Sequence, residues 1–338
     1  MKELKKFVVW LMALPCLLLP AACDTIDDDL SDCGHDYRLD YRLQLITNMT
    51  TELETVLNAE ADAPMAEALR KHYANIFSDF AHDVELSFYN TTADSTLSHY
   101  ESEIMDANQS TYTIYLPVKK YMHLALANIA DQVAVSHQGN DYCPTSYLDQ
   151  QNGDTIVSHN TGLFTARLPM EVVQDQDQNF DVPLYMANAA AAVVIDTTGY
   201  QIKDMRAYIT DMADGFYLRD SLYTYNQNPI IRTDAVVAAS GKQACFAGVC
   251  FPSRNGSTRA DATQQSTDGL WQMKLYVTLP DGTTTENLLE IQDPLKAGNL
   301  KIIKLRLKDK GGVESVTADV GVSVTLDWKQ GGEYTPVL

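Results

Sequence analysis

The chain has 338 residues, of which 45 are acidic and 25 are basic, and its formal net charge at neutral pH is −20. So acidic a surface repels a phosphate backbone, which argues against a nucleic-acid-binding protein. The length is sufficient for two domains of ordinary size.

The N-terminus has the pattern of a bacterial export signal. Three lysines precede an apolar run, residues 7–19, which is too short for a transmembrane helix of about 20 residues. Residues 19–23 (LPAAC) then resemble the lipobox of bacterial lipoproteins, although Pro20 stands where leucine is preferred. We expect a lipoprotein signal peptide over residues 1–22 and a lipid anchor on Cys23. The alternative is an ordinary secretory signal with a chance cysteine.

Residues 23–34 follow the predicted cleavage site and contain five aspartates. Removal of the signal peptide also takes away three lysines and one glutamate, so that the mature chain carries a net charge of −22. A stretch this polar cannot pack into a core, and we expect an acidic, solvated tether between the lipid and the folded part.

Predicted strands dominate the first half of the mature chain. Residues 36–45 alternate strictly between apolar and polar side chains, which predicts a strand with one buried face. A helix is predicted from Pro64 onwards, because apolar side chains recur every three or four residues as far as Phe80. Further strands are predicted at Val84–Tyr89, Tyr112–Leu116 and Met122–Ile129.

The second half is more uniformly β. The run Phe180–Ile195 combines small and β-branched residues and predicts a buried strand. We place a domain boundary near residue 180, between an N-terminal domain (residues 35–180) and a C-terminal domain (residues 181–338). The other predicted strands are Met205–Thr210, Phe216–Tyr223, Ile230–Ala238, Ala244–Phe251, the hairpin Trp271–Ile291, Leu300–Leu307 and Val313–Trp328.

This arrangement of elements predicts the fold class. Regularly spaced strands with only one or two short helices, and no alternation of strands with helices, favour β-sandwiches over a βαβ fold. The last strand is long, and a set of its alternate apolar residues shares one face: Val316, Ala318, Val320, Val322, Val324 and Leu326.

Four cysteines besides Cys23 remain in the mature chain: Cys33, Cys143, Cys245 and Cys250. An even number of cysteines in an exported protein indicates disulfides, and four of them allow three pairings. We favour Cys245 with Cys250 and Cys33 with Cys143.

Sequence motifs of catalysis and of metal binding are missing. The chain has no Gly-x-Ser-x-Gly, Walker-type or Gly-x-Gly-x-x-Gly pattern, and its seven histidines lack metal-ligand spacing. We therefore expect no enzyme, no metal and no cofactor. The many tyrosines, among them Tyr185, Tyr217 and Tyr223, are candidates for a sugar-binding surface, although alternating aromatic residues are more often core.

Two stretches carry a family resemblance. Residues 32–41 (DCGHDYRLDY), shortly after the acidic start, and residues 116–129 (LPVKKYMHLALANI) resemble fimbrial anchor lipoproteins of Bacteroides-type bacteria. The order of elements is similar to that family from Cys23 to about Trp328. The acidic tether also resembles that of lipoproteins that such bacteria export to their surface.

The resemblance implies both a fold and a function. The fold would be two tandem transthyretin-like Greek-key β-sandwiches. The protein would be an outer-membrane lipoprotein that tethers a fimbrium to the cell, ends its growth and joins the shaft subunit by β-strand addition. The strand at residues 36–45 would stay in place, and the partner-binding strand would be the last one, with Val316, Val320, Val322, Val324 and Leu326.

Three other functions stay open at this point. The first is a surface glycan-binding lipoprotein, and the second is a tip or accessory subunit of a fimbrium. The third, a lipid-anchored hydrolase, would need a nucleophile or a pair of convergent carboxylates that the sequence does not display.

Overall fold

The computed structural model describes most of the chain after the predicted tether. It covers residues 36–46, 56–57, 59, 62–74, 76, 84–92, 97–103, 111–137, 146–150, 155–174, 176–238, 241–254, 271–316 and 320–328. The predicted signal peptide, Cys23, Cys33 and Cys143 lie outside these residues, so the predictions about them stay predictions.

The described residues form 22 strands and one α-helix, α1 (Ala63–His72). The strands of the first half are β1 (Asp36–Ile46), β2 (Val84–Asn90), β3 (Leu97–Glu103), β4 (Thr111–Pro117), β5 (Lys120–Ala127), β6 (Val133–His137), β7 (Ser146–Gln150), β8 (Ile156–Val157), β9 (Phe164–Glu171) and β10 (Gln178–Met186). Those of the second half are β11 (Ala189–Asp196), β12 (Asp204–Thr210), β13 (Gly215–Tyr217), β14 (Leu222–Thr224), β15 (Ile231–Arg232), β16 (Asp234–Val236), β17 (Gln243–Cys250), β18 (Trp271–Thr278), β19 (Thr284–Ile291), β20 (Leu300–Leu307), β21 (Val313–Ser315) and β22 (Val320–Trp328).

The first sheet has the strand order β3-β2-β5-β9-β10-β1-β4. It turns a corner between β9 and β10, which are paired only at Tyr185↔Thr165 and Met186↔Phe164. Buried residues from both sides of the corner, such as Phe88 on β2 and Leu39 on β1, belong to one apolar core. The sheet therefore folds over into two facing layers, as in a β-sandwich.

A second sandwich is built from the second sheet, β16-β17-β11-β20-β21, and the third sheet, β22-β19-β18-β12-β15-β8. β11 lies at the centre of the second sheet, and seven of its eight residues are buried. Val193 and Ile195 point into the core shared with the third sheet, whereas Ala192 and Val194 point into the core shared with the first sheet. Both faces of β11 are therefore covered, which explains its small and β-branched side chains.

A fourth, smaller sheet, β14-β13-β7-β6, packs on the outer face of the first sheet. Leu124 and Leu126 of β5 share a core with Leu148 of β7 and Phe216 of β13. This sheet joins strands from both halves of the sequence, because β7 pairs with β6 on one side and with β13, which comes after residue 210, on the other.

Helix α1 lies against the second sheet. Its side chains Met65 and Leu69 are fully buried, and Tyr73, just after its end, donates a hydrogen bond to the carbonyl of Ala191 at 3.2 Å. Asp62, just before its start, accepts hydrogen bonds from Lys304 of β20 at 2.5 Å and from Gln243 of β17 at 3.0 Å. The helix thus covers part of the face that the second sheet turns away from the third.

The predicted all-β sandwich fold is confirmed, as are the strand at residues 36–45, the start of the helix and the hairpin of β18 and β19. In β1 the alternation has the expected result, because Leu39 and Leu43 are buried while Arg38 and Arg42 are exposed.

Three predicted strands are wrong as single elements, because each is two strands. Phe180–Ile195 is divided into β10 and β11 by Ala187 and Asn188, and the Asn188 side chain accepts a hydrogen bond from Leu163 N–H at 3.2 Å. Phe216–Tyr223 is the tight hairpin of β13 and β14, and Ile230–Ala238 is β15 in the third sheet followed by β16 in the second.

The change from the first sheet to the second occurs at Ala187 and Asn188, after the predicted domain boundary at residue 180, which falls inside β10. The division into an N-terminal and a C-terminal domain stays a prediction.

Candidate assembly interface at the C-terminal edge

The predicted partner-binding strand, Val313–Trp328, is also two strands. β21 pairs with β20 at the edge of the second sheet, and β22 pairs with β19 at the edge of the third. Period-two alternation continues through both strands, so the pattern alone cannot reveal that the chain crosses from one sheet to the other. The prediction of one continuous strand is therefore wrong.

This crossing separates the predicted contact residues. Val316 is 57% exposed, and its N–H donates to the carbonyl of Lys304 at 2.8 Å, next to β21. Val320 and Val322 lie on β22 and pack, partly buried, against the core of the second sandwich. Val324 and Leu326 lie on the same strand, with Val324 opposite Asn287, and their side chains fall outside the described part.

β22 is an edge strand of nine residues. It is paired with β19 on one side, and no strand among the described residues pairs with its other side. Exposed edges of sheets are usually protected by lysines, prolines or short length, because unpaired backbone groups recruit other strands. The sequence of β22, VGVSVTLDW, contains neither lysine nor proline and only one charged residue. Among the described residues, this edge therefore shows none of these protections against pairing with another chain.

A groove of about 520 Å³ opens between the edge strands β21 and β22. It is lined by residues of the second sheet, of the turn after β20 and of β22: Lys308, Asp309, Lys310, Gly312, Val313, Glu314, Ser315, Val320 and Val322. One wall is thus polar and charged, while the valines of β22 supply an apolar wall.

The turn between β20 and β21 is fastened to β19 by two polar side chains. Lys310 and Gly311 both have left-handed backbone conformations, with φ of 61° and 80°. Thr285 donates a hydrogen bond to the carbonyl of Lys310 at 2.7 Å. Asn287, which is fully buried, donates to the carbonyl of Gly311 and accepts from the N–H of Val313, both at 3.0 Å. These bonds fix the polar wall of the groove relative to the third sheet.

Charges on the polar wall are ordered by ion pairs. Glu314 contacts Lys308 at 2.7 Å and Arg306 at 3.4 Å. The hydrogen bond from Lys308, with help from both cations, lowers the pKa of Glu314 below its usual range. Lys310 forms no ion pair within the described residues, so the groove offers one free ammonium group to a ligand.

The first strand is in place. β1 lies inside the first sheet, parallel to β10 from Leu39 to Ile46 and antiparallel to β4 from Asp36 to Arg42. Leu39 is fully buried in the first core. The position between β10 and β4 is therefore filled by the chain's own strand.

The predicted disulfide between Cys245 and Cys250 is wrong, because both cysteines are free and buried. They lie on one strand, β17, and face opposite cores. Five residues of strand span roughly 16 Å, whereas a disulfide joins Cα atoms within about 7 Å of each other. Burial raises the pKa of both thiols to about 12, so neither is a reactive thiolate at neutral pH.

The buried histidines His123 and His159 pack against aromatic side chains of the core. His123 stacks on Phe88 and bonds to the carbonyl of Ser87 at 3.0 Å, and His159 contacts Phe251 edge-on. Burial lowers the pKa of each histidine to about 4. In the described part of the chain, no group of three or more His, Cys, Asp or Glu side chains is arranged to hold a metal ion.

Sequence reasoning identified Val320 and Val322 but missed the polar wall of the groove. Lys308 and Lys310 lie in the turn after β20 and Glu314 lies on β21, and in the sequence only the glycines of Asp309-Lys310-Gly311-Gly312 indicate a turn there. No helix among the described residues has the length and hydropathy that a membrane crossing requires.

Comparison with known proteins gives one family. The model of the family described as Fimbrillin-A associated anchor proteins Mfa1 and Mfa2 matches residues 32–330. A search of curated proteins finds no match.

Three solved structures have a similar fold. A candidate adhesin from Bacteroides ovatus has 11% identity and a TM-score of 0.53, and the match covers 88% of this chain and 97% of that one. A candidate polysaccharide-binding protein from Bacteroides thetaiotaomicron has 10% identity and a TM-score of 0.51, and the match covers 83% of this chain and 99% of that one. A candidate cell adhesion protein from Bacteroides eggerthii has 13% identity and a TM-score of 0.50, and the match covers 87% of this chain and 97% of that one. At such identities the likeness shows the fold alone.

Proposed function

The chain belongs to the family of fimbrillin-A associated anchor proteins Mfa1 and Mfa2, and on that premise we propose that it is the lipid-anchored subunit at the base of a fimbrium. Membership in this family associates the chain with fimbriae at the cell surface and with the subunits that build them. The family is structural, and we propose no catalytic step. In our proposal the protein tethers the fibre to the outer membrane and ends its growth.

The membrane attachment in this proposal rests on the sequence of the N-terminus. A lipid on Cys23, followed by the acidic tether at residues 23–34, would hold the folded part close to the outer membrane. A single acyl chain binds a membrane weakly and stable attachment takes about two, which a lipoprotein cysteine supplies.

The observation that carries the connection to the shaft is the unprotected edge of β22 beside the groove. An extended segment of a shaft subunit would pair with the free backbone groups of β22, and its alternate side chains would fill the groove. Val320 and Val322 favour apolar side chains on one face of that segment. The free ammonium of Lys310 favours a carboxylate near one end of it.

The end of growth would follow from the filled position of β1. A subunit whose first strand stays paired with β10 and β4 offers no vacancy there to a further subunit. A fibre that reached this protein through β22 would therefore stop at it.

The experiment that tests the strand addition uses a charge on the groove face of β22. In Val322→Lys the ammonium can reach solvent through the open groove, so the fold should persist, but an added strand would have to bury the charge. We expect the shaft subunit to co-purify with the wild type and to be lost from Val322→Lys, with thermal unfolding close to that of the wild type.

The matched control is Val237→Lys. Val237 is 86% exposed and follows β16, so the same substitution there should leave the shaft subunit bound. If folded Val322→Lys kept as much shaft subunit as this control, strand addition at β22 would be wrong.

A further inference from the structure

A second groove, of about 370 Å³, lies at the corner of the first sheet where β9 and β10 separate. These strands pair only at Thr165↔Tyr185 and Phe164↔Met186, so beyond Thr165 they diverge. The hairpin of β13 and β14 closes the other side of the groove with Phe216, Leu218, Ser221 and Tyr223. The groove lies in the range of size of small-molecule sites.

The floor of this corner groove is apolar and rigid. Phe216 and Tyr223 are buried with ring centroids 4.5 Å apart, and Tyr223 donates a hydrogen bond to the carbonyl of Ala187 at 2.6 Å. Tyr185 on β10 also lines the groove, yet it is 57% exposed. An aromatic side chain that lines a groove and remains accessible offers a flat apolar face to a ligand ring.

Polar groups converge on the same groove. Arg167 of β9 donates one hydrogen bond from Nη1 to the carbonyl of Arg219, at 2.6 Å, which holds the guanidinium against the hairpin. A guanidinium has five N–H donors, so others remain for a ligand. The hydroxyl-bearing Ser221 stands on the opposite wall, in a left-handed conformation with φ of 53°.

The charge of the groove is opposite to that of the molecule. The chain has 45 acidic residues and a net charge of −20, yet none of the described residues that line this groove is acidic. Arg167 is the sole charged residue in that lining. A fixed guanidinium without a carboxylate partner in its own groove favours a ligand that brings the carboxylate.

We propose that the corner groove binds a sugar acid, that is, a pyranose ring that carries a carboxylate. The ring face would stack on Tyr185, the carboxylate would accept hydrogen bonds from Arg167, and a ring hydroxyl would bond to Ser221. An apolar peptide side chain would use the floor but form no bond with Arg167 or Ser221, so these groups favour a ligand that carries a carboxylate and hydroxyls. This site is independent of the β22 edge, so either proposal can fail without the other.

The test measures binding of monosaccharides to the full-length chain by saturation-transfer NMR. The probes are the sugar acids glucuronate, galacturonate and N-acetylneuraminate, with glucose as the neutral counterpart of glucuronate. We expect saturable binding of at least one sugar acid. Glucose should bind about tenfold more weakly than glucuronate if glucuronate is the acid bound, because it lacks the charge-assisted pair with Arg167.

Two variants and one control locate the site. Tyr185→Ala should weaken binding of the sugar acid about tenfold through the lost stacking. Arg167→Gln should remove the preference for the acid over its neutral counterpart. Tyr115→Ala, at a similarly exposed tyrosine (55%) on β4, should bind as the wild type does.

Absence of saturable binding of every sugar acid by the wild type would overturn the proposal. So would an unchanged affinity in Tyr185→Ala, or an unchanged acid preference in Arg167→Gln, since the binding would then lie elsewhere.

Discussion

Single buried polar residues hold the junctions between the sheets. Asn188 stands between β10 and β11, where it accepts from Leu163 N–H and donates to the carbonyl of Thr161 at 2.9 Å. Its Nδ2 also lies 3.3 Å from Nδ1 of His159, which is almost completely buried. Buried polar groups are costly unless they are hydrogen-bonded, so these residues specify where the chain leaves one sheet for the next.

His159 should make stability depend on pH. Burial lowers the pKa of His159 from 6.5 to about 4, so the unfolded chain binds a proton more readily than the folded one in this interval. The neutral form of His159 therefore contributes to the free energy of unfolding at a pH above about 6.5. This contribution, about 3 kcal/mol, is lost as the pH falls towards about 4.

His159→Gln removes this titration, and urea unfolding at several pH values checks it. The wild type should lose about 3 kcal/mol of unfolding free energy relative to the variant between about pH 7 and pH 4. Many carboxylates titrate in the same interval, but they are common to both proteins and cancel in the difference. If the unfolding free energies of the two proteins changed with pH in parallel, His159 would not titrate as expected.

Among the secondary-structure elements, β21 and β22 form the shaft-binding edge in our proposal. They are consecutive in sequence, yet they end two different sheets, and the groove exists because of that division. The turn before β21 is held to β19 by Thr285 and Asn287, which keeps the two sheet edges in fixed relation.

Asn287→Ala should weaken this connection. The substitution leaves the buried N–H of Val313 and carbonyl of Gly311 without their side-chain partner, which we expect to lower the free energy of unfolding by about 2–4 kcal/mol. Urea denaturation measures the loss. The control is Asn179→Ala, at an exposed position of β10, which should change stability by no more than about 0.5 kcal/mol. Equal effects at both positions would mean that the Asn287 bonds contribute nothing.

Some strands were predictable from the sequence and others were not. β1 was predictable because its one buried face imposes strict alternation, and β18 with β19 because a turn signal separates them. β9 was missed although its sequence, FTARLPME, alternates between apolar and other side chains, because the proline near its end argues against a strand in the interior of a sheet. The division of Val313–Trp328 was missed because both strands keep period two, and periodicity does not say which sheet a strand joins.

The two grooves were beyond sequence reasoning for a related reason. The corner groove has walls from strands that are distant in sequence, so Arg167 and Ser221 become neighbours only through the topology. The groove between β21 and β22 has walls from consecutive strands, but it exists only because those strands belong to different sheets. The tyrosines suggested a sugar surface in general terms, but only the structure separates the exposed Tyr185 from the buried Tyr223.

At the scale of the whole molecule, the two sandwiches are joined through the second sheet, which has a core on each of its faces. The central strand β11 contributes to the cores on both of its faces, and α1 ties the first core to β17 and β20 through Asp62. In our proposal the protein transmits pull from a fibre to a membrane, and the continuous packing of the described residues on both faces of β11 would carry that load. In our proposal the lipid precedes β1 and the shaft binds at β22, so the load passes through both cores.

Retention of the fibre by the lipid is the most direct test of the anchor proposal. Shaft protein is measured by immunoblot in the outer-membrane and culture-medium fractions of wild-type and Cys23→Ala cells. The account predicts that wild-type cells keep their fibres, while the variant, whose base subunit has no lipid, releases them into the medium. If the fibres stayed on the cells in both strains, this protein would not be their base.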